Sequence, residues 1–134
     1  MRLNLFKLSN NLTIQIINEL TKFRLTLSVV FSSFISYFLG SESINFIDLT
    51  CLLTGGILIV SSSNIFNQII ERDLDKLMNR TKNRPLPKNK IKINTALLLA
   101  ITTGVLGIVL MYLINIKVAI LAAVSIFLYT AIYT

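Results

Sequence analysis

Asn67, Glu71 and Asp75 stand four residues apart along the chain. On a helix each step of four advances about 400°, so these side chains fall within about 80° of one face. An amide and two carboxylates stacked this way repel one another when nothing lies between them. They form a stable set around a divalent cation. Oxygen-only ligands favour Mg²⁺ over zinc, and Mg²⁺ is commonly shared between one or two carboxylates and a substrate phosphate. Asn67, Glu71 and Asp75 are therefore the candidate metal-holding and catalytic residues. Asp73 lies about 200° round from Glu71 on the same helix and is expected to pair with Arg72 or Lys76.

The same stretch carries the opposite charge. Arg72, Arg80, Lys82 and Arg84 lie within or just beyond it. Arginine forks match phosphate oxygens and lysine adds point charge. Acids and bases at one site make sense together when a metal and a polyanion are both bound, and a diphosphate with Mg²⁺ meets that condition. A site opening into a bilayer further asks for a lipid-soluble substrate, which a prenyl diphosphate satisfies. The competing reading is a solvated, membrane-anchoring loop, because charged loops between spans are common and the spacing N-x₃-[DE]-x₃-D is short.

The elements that must position these residues are membrane helices. The chain has 134 residues, of which 54% are hydrophobic and 14% charged, and the charges are clustered. Residues 49–70 and 93–116 are uncharged, as are the shorter blocks 25–41 and 118–134. Uncharged apolar runs of about 18 residues or more read as spans. The blocks are continuously apolar and not alternating, which favours helices over a barrel. The expected fold is all-α and integral to the membrane, with spans at about 24–41, 48–70, 94–115 and 117–134. The whole chain reads as one membrane domain, with a cytoplasmic arm and interfacial helix over 1–22 and a loop over 71–93. The polar residues before the first span argue against a cleaved signal peptide. Cys51 stands alone, so no disulfide framework exists within the chain.

Twelve of the thirteen Lys and Arg residues fall in the N-terminal arm or the loop after the second span. An even number of crossings puts both on one side. The opposite side carries "SESINFID" (41–48), with two acids and no base, and the turn "INIK" (114–117). The excess of Lys and Arg marks the first side as cytoplasmic. The net charge of +7 is thus largely a topology signal, and a nucleic-acid partner is not expected.

Residues 1–10 read as a mobile arm. In "LTIQIINEL" (12–20), Leu12, Ile16 and Leu20 recur at helical spacing, which predicts an amphipathic helix on the interface. Lys22 and Arg24 follow, with stems long enough to reach the headgroups. Small and hydroxylic residues in "TGG" (54–56) and "SSSN" (61–64), with Gly104 and Gly107, predict close helix packing. "RPLP" (84–87) ends any helix, and the third span is expected to start with Asn94 or Thr95 as N-cap.

"NQIIERDLDKLMNRTKNRPLP" (67–87) resembles the first aspartate-rich motif of the UbiA-type intramembrane prenyltransferases. The segment "ERDLDKLMNRTKNRPL" (71–86) is closest to the branch that farnesylates haem, the protoheme IX farnesyltransferases or haem O synthases. "ELTKFRLTL" (19–27) resembles that branch's approach to its first span, usually LTKPR, with Phe23 where proline is expected. "YTAIYT" (129–134) resembles its YTxxYT. The resemblance covers about residues 19–134. It implies that Asn67, Glu71 and Asp75 hold Mg²⁺ and the diphosphate, with Glu71 in place of the more usual Asp. It implies that Arg80, Lys82 and Arg84 neutralise the leaving diphosphate. The implied reaction moves a farnesyl group from farnesyl diphosphate to a vinyl group of haem B, giving haem O, in a bacterial inner membrane.

The family resembled has about nine spans and two aspartate-rich motifs. This sequence has four expected spans, no acidic residue after Asp75 and no histidine. The expectation is an N-terminal half of such a bundle, completed by a C-terminal half-protein, truncated, or decayed. Two alternatives stand beside it: a quinone- or chlorophyll-pathway prenyltransferase of the same superfamily, or a small non-catalytic membrane protein.

Overall fold

Among the described residues there are six helices: α1 (Arg2–Thr21), α2 (Phe23–Gly40), α3 (Phe46–Ile70), α4 (Arg72–Leu77), α5 (Ile93–Ile114) and α6 (Ile116–Ile132). The structure is a computed structural model that describes residues 2–132. Met1 lies outside the described residues, as do Tyr133 and Thr134, the end of the expected fourth span. Among the described residues α2, α3 and α5 are long and apolar enough to cross a membrane, and α6 is a shorter apolar helix of 17 residues. The fold is the all-helical membrane bundle the composition predicts.

Two boundaries differ from expectation. The helix expected over 12–20 begins at Arg2 and so runs through the segment read as an arm. The third span starts slightly early: α5 begins at Ile93, its N-cap Lys92 makes no side-chain cap bond, and Asn94 and Thr95 lie inside the helix. An extended Lys92 after the proline-containing loop already sets the helix direction, so no Asn or Thr cap is required. α3, by contrast, has a side-chain cap. Asn45 caps it by accepting from the Ile47 amide, and Asp48 lies in its first turn, favourable to the helix dipole.

α3 is the central element and packs chiefly against α5, with α2, α6 and α1 around it. Small residues let α3 and α5 approach. A Cβ built on Gly107 would lie 2.9 Å from Ile59 Cδ1, and one on Gly104 would lie 2.7 Å from Ser62 Oγ. The Ser62 hydroxyl donates across the same interface to the Ala100 carbonyl at 2.7 Å. Two apolar clusters result. Ile59, Met111 and Ala119 form one. Leu20, Ile65, Leu86, Ala96 and Ala100 form the other, at the end of the bundle that carries the basic loop. The second cluster matters for the site, because Leu86 belongs to the loop itself. Pro85, Leu86 and Pro87 are all buried, so the loop is anchored into the core two residues past Arg84.

Candidate functional site

The three residues spaced by four lie where an apolar helix ends. α3 stops at Ile70, and Glu71 is both its C-cap and the N-cap of α4, with φ −77° and ψ −4°. The helical ladder is interrupted at this junction, and Glu71 itself links its two sides. The Glu71 amide donates to the Asn67 carbonyl at 2.9 Å, and the Asp75 amide to the Glu71 carbonyl at 2.8 Å. Asn67 is fully buried and Asp75 nearly so.

Arg84 closes this acidic face. Its Nη1 lies 2.7 Å from Asp75 Oδ2 and 3.6 Å from Glu71 Oε2. Thr81 ties the loop back to α4 by donating from its hydroxyl to the Asp75 carbonyl at 3.2 Å. The anchored Leu86 and this tie together hold Arg84 over the carboxylates. Sequence reasoning put three further cations here, and the structure distributes them differently. Arg72 pairs with Asp73 at 3.2 Å, joined by Lys76 at 2.9 Å, on an exposed outer face. Lys82 donates to Asn79 at 3.0 Å, and Arg80 is exposed. The expected pairing of Asp73 with Arg72 and Lys76 is therefore present, and those two bases hold its carboxyl below the usual carboxylate range.

Lys22 is the residue the sequence placed elsewhere. It was expected at the headgroups, yet its Nζ lies 3.4 Å from Asn67 Oδ1. Burial lowers its ammonium below the ordinary lysine range and Arg84 adds to that, while Glu71 and Asp75 act against it. Lys22 takes φ 48° and ψ 55° between α1 and α2, a left-handed conformation that costs a non-glycine residue about 1–2 kcal/mol. α3 and α2 hold it there. Gln68 Nε2 donates to the Glu19 and Leu20 carbonyls at 3.1 and 2.8 Å. Asn64 Nδ2 donates to the Thr21 carbonyl at 3.0 Å, and the Thr26 hydroxyl to the same oxygen at 2.9 Å. These donors satisfy carbonyls that a helix end leaves without intrahelical partners. The one signal for Lys22 in the sequence was its place in "ELTKFRLTL", the segment that resembles a family motif.

Beneath the charged cluster, α2, α3 and α6 leave a narrow apolar groove of about 170 Å³ between Leu25, Val29, Ile59 and Val60, closed at its polar end by Asn64 and Tyr129. The Tyr129 hydroxyl donates to Asn64 Oδ1 at 3.2 Å. The donor set above this groove is oxygen only. Among the described residues no three His, Cys, Asp or Glu side chains gather. A metal here would have Glu71, Asp75 and the Asn67 amide oxygen, which suits a hard cation that keeps open positions for substrate oxygens. It would also take over contacts that Arg84 and Lys22 make in this structure.

A helical membrane bundle with a carboxylate–cation cluster at one end of its central helix defines an integral membrane protein with a charge-dense site above an apolar groove. The UbiA prenyltransferase family matches residues 29–134, and the chain belongs to that family. It is 54% identical over 116 residues to a protein named protoheme IX farnesyltransferase from Christiangramia forsetii, covering 87% of this chain and 39% of that one. A protein of the same name from Flavobacterium psychrophilum is 49% identical over 119 residues, covering 87% and 40%. One from Listeria innocua is 32% identical over 132 residues, covering 94% and 44%. The chain thus spans about two fifths of the length of the curated relatives it matches. No solved structure matches it.

Proposed function

We propose that this chain forms the diphosphate-binding part of an intramembrane prenyltransferase that moves a farnesyl group from farnesyl diphosphate to a vinyl group of haem B, giving haem O. The observation that carries this reading is the Asn67–Glu71–Asp75 face with Arg84 set across its carboxylates, directly above an apolar groove. The substrate and acceptor follow the printed name of the relatives.

In this reading the groove receives the start of the prenyl chain and the charged cluster receives the diphosphate. Mg²⁺ held by Asn67, Glu71 and Asp75 would neutralise the diphosphate as its bond to the allylic carbon breaks. Arg84 turns from Asp75 to the leaving oxygens, where preorganised positive charge lowers the barrier most. Arg80, Lys82 and Arg72, all near the membrane surface, raise the local concentration of the anion. The apolar walls keep water from the allylic cation. The 71–93 loop acts as the catalytic loop and faces the cytoplasm with the N-terminus, as the Lys and Arg bias directs, in a bacterial inner membrane. The rest of the bundle, with the haem site, belongs to a C-terminal half that completes the cavity.

The test is Mg²⁺-dependent binding of a non-hydrolysable farnesyl diphosphate analogue to the chain in detergent, with and without a C-terminal half from a relative. Saturable, Mg²⁺-dependent binding that Asp75→Asn abolishes is expected. Binding unchanged in Asp75→Asn removes that residue from the site.

A further inference from the structure

A strained backbone at a charged residue is held in place by three other side chains. Asn64, Gln68 and Thr26 donate to the Glu19, Leu20 and Thr21 carbonyls at the α1 end of the α1–α2 elbow, and Lys22 at that elbow takes a left-handed conformation. The bracing fixes the position of one group. Lys22 Nζ lies on Asn67 Oδ1, the same oxygen that completes the donor set for a metal. Arg84 does the like on Asp75 and Glu71. Each polar end of the acidic face is therefore covered by a side-chain cation.

A metal ion and an ammonium on one amide oxygen repel each other, because both are positive. Metal binding at Asn67 therefore favours movement of Lys22 away from it. Its four-carbon stem permits this without disturbing the elbow. Room exists beside it: a groove of about 480 Å³ opens between Asn18, Glu19, Phe23 and Arg24. A diphosphate brought in with the metal supplies new acceptor oxygens for the displaced ammonium.

We propose that Lys22 is a diphosphate-binding residue that covers Asn67 while the site is empty and passes to the diphosphate oxygens when metal and diphosphate load together. This rests on the diphosphate reading above. Its consequence is a change of opposite sign for two ligands. Lys22 opposes a bare divalent ion, since it holds a ligand oxygen and adds positive charge. It favours the metal–diphosphate complex, since it gains a charge-assisted contact to it. A residue that only anchored the elbow would affect both ligands in the same direction.

The experiment uses the full chain in detergent. Mn²⁺ binding is counted by electron paramagnetic resonance, and binding of inorganic pyrophosphate with Mg²⁺ is followed by calorimetry. The variants are Lys22→Gln, Lys22→Arg and Asp75→Asn, with helical content and melting checked for each. Lys22→Gln is expected to bind Mn²⁺ about threefold or more tightly and Mg²⁺–pyrophosphate about tenfold more weakly, the scale of one charge-assisted hydrogen bond. Lys22→Arg should stay close to the parent chain for both ligands. If Lys22→Gln weakens both ligands, or leaves both unchanged while Asp75→Asn loses binding, the Lys22 inference fails and the diphosphate site stands. If the parent chain binds no Mg²⁺–pyrophosphate, or Asp75→Asn binds it equally well, the diphosphate reading fails and the Lys22 inference fails with it.

Discussion

Arg84 and Asp75 form an unequal pair. Nη1 and Oδ2 are 2.7 Å apart, but the Asp75 side chain is 4% exposed and that of Arg84 is 25% exposed. The two halves of the contact therefore differ in what their removal leaves behind. Arg84→Gln strands a buried carboxylate beside Glu71, with water largely excluded. Asp75→Asn leaves a guanidinium that keeps Glu71 as a neighbour and still reaches solvent. Loss of one partner from a buried pair is costly because the other remains uncompensated. Arg84→Gln is expected to destabilise the bundle by about 2–3 kcal/mol and Asp75→Asn by about 1 kcal/mol. Melting of the purified variants in detergent checks the order, and an equal loss in both would remove the asymmetry.

The α3–α5 contact offers a sharper steric test. Gly107 faces Ile59 so closely that an added Cβ would meet Cδ1 at 2.9 Å and the backbone nitrogen at 3.1 Å. The Ile59 side chain can turn aside, but its backbone cannot. Gly107→Ala is expected to cost about 1–3 kcal/mol, the range for overpacking a filled interior. Gly40 has nothing within 4 Å of the same added atom, so Gly40→Ala should leave the melting temperature unchanged. A similar response in the two variants would mean that helix propensity, and not the helix contact, sets the effect.

Asp73 tests whether the outer charges belong to the site. It is held by Arg72 and Lys76 on a solvated face, where such pairs contribute little and are screened by salt. Asp73→Asn should leave binding of Mg²⁺–pyrophosphate within about twofold of the parent, since exposed ion pairs transmit little energy. The pH dependence follows from the depressed carboxyl. A group whose folded value lies below its unfolded value contributes stability above the unfolded value and loses it as pH falls through the folded one. Any contribution of Asp73 should therefore be constant at neutral pH and vanish only in acid. Titration of the variant against the parent checks this, and a difference appearing near neutrality would contradict it.

Helices α3 and α5 were legible in the sequence because uninterrupted apolar runs leave the backbone no alternative in lipid. The packing role of Gly104 and Gly107 was legible for a related reason, since small residues in such runs have little else to do. The break at Glu71 was not. The spacing of Asn67, Glu71 and Asp75 fits a continuous helix and an interrupted one equally, because the bonds from Glu71 to Asn67 and from Asp75 to Glu71 are made in both. The distribution of the cations was also hidden. Arg84 reaches the carboxylates because Leu86 is sunk into a core shared with Leu20, Ile65 and Ala96, and that is a tertiary fact. Lys22 looked like a membrane anchor because nothing local shows that Asn64 and Gln68, more than forty residues away, hold its elbow.

Asn64 joins three helices. Its Nδ2 donates to the Thr21 carbonyl at the end of α1, and its Oδ1 accepts from the Tyr129 hydroxyl of α6. A hydrogen bond between membrane helices is worth about 0.6 kcal/mol on average and up to about 1.7 kcal/mol. Tyr129→Phe is expected to cost an amount in that range. Asn64→Leu should cost more, because it removes contacts to α1 and α6 at once. The decisive quantity is the double variant. If the hydroxyl acts through Asn64, Tyr129→Phe will cost less in the Asn64→Leu background than in the parent chain, since residues in contact are not additive. Strict additivity would mean that the bond at 3.2 Å contributes nothing, and that α6 is held against α3 by its apolar packing alone.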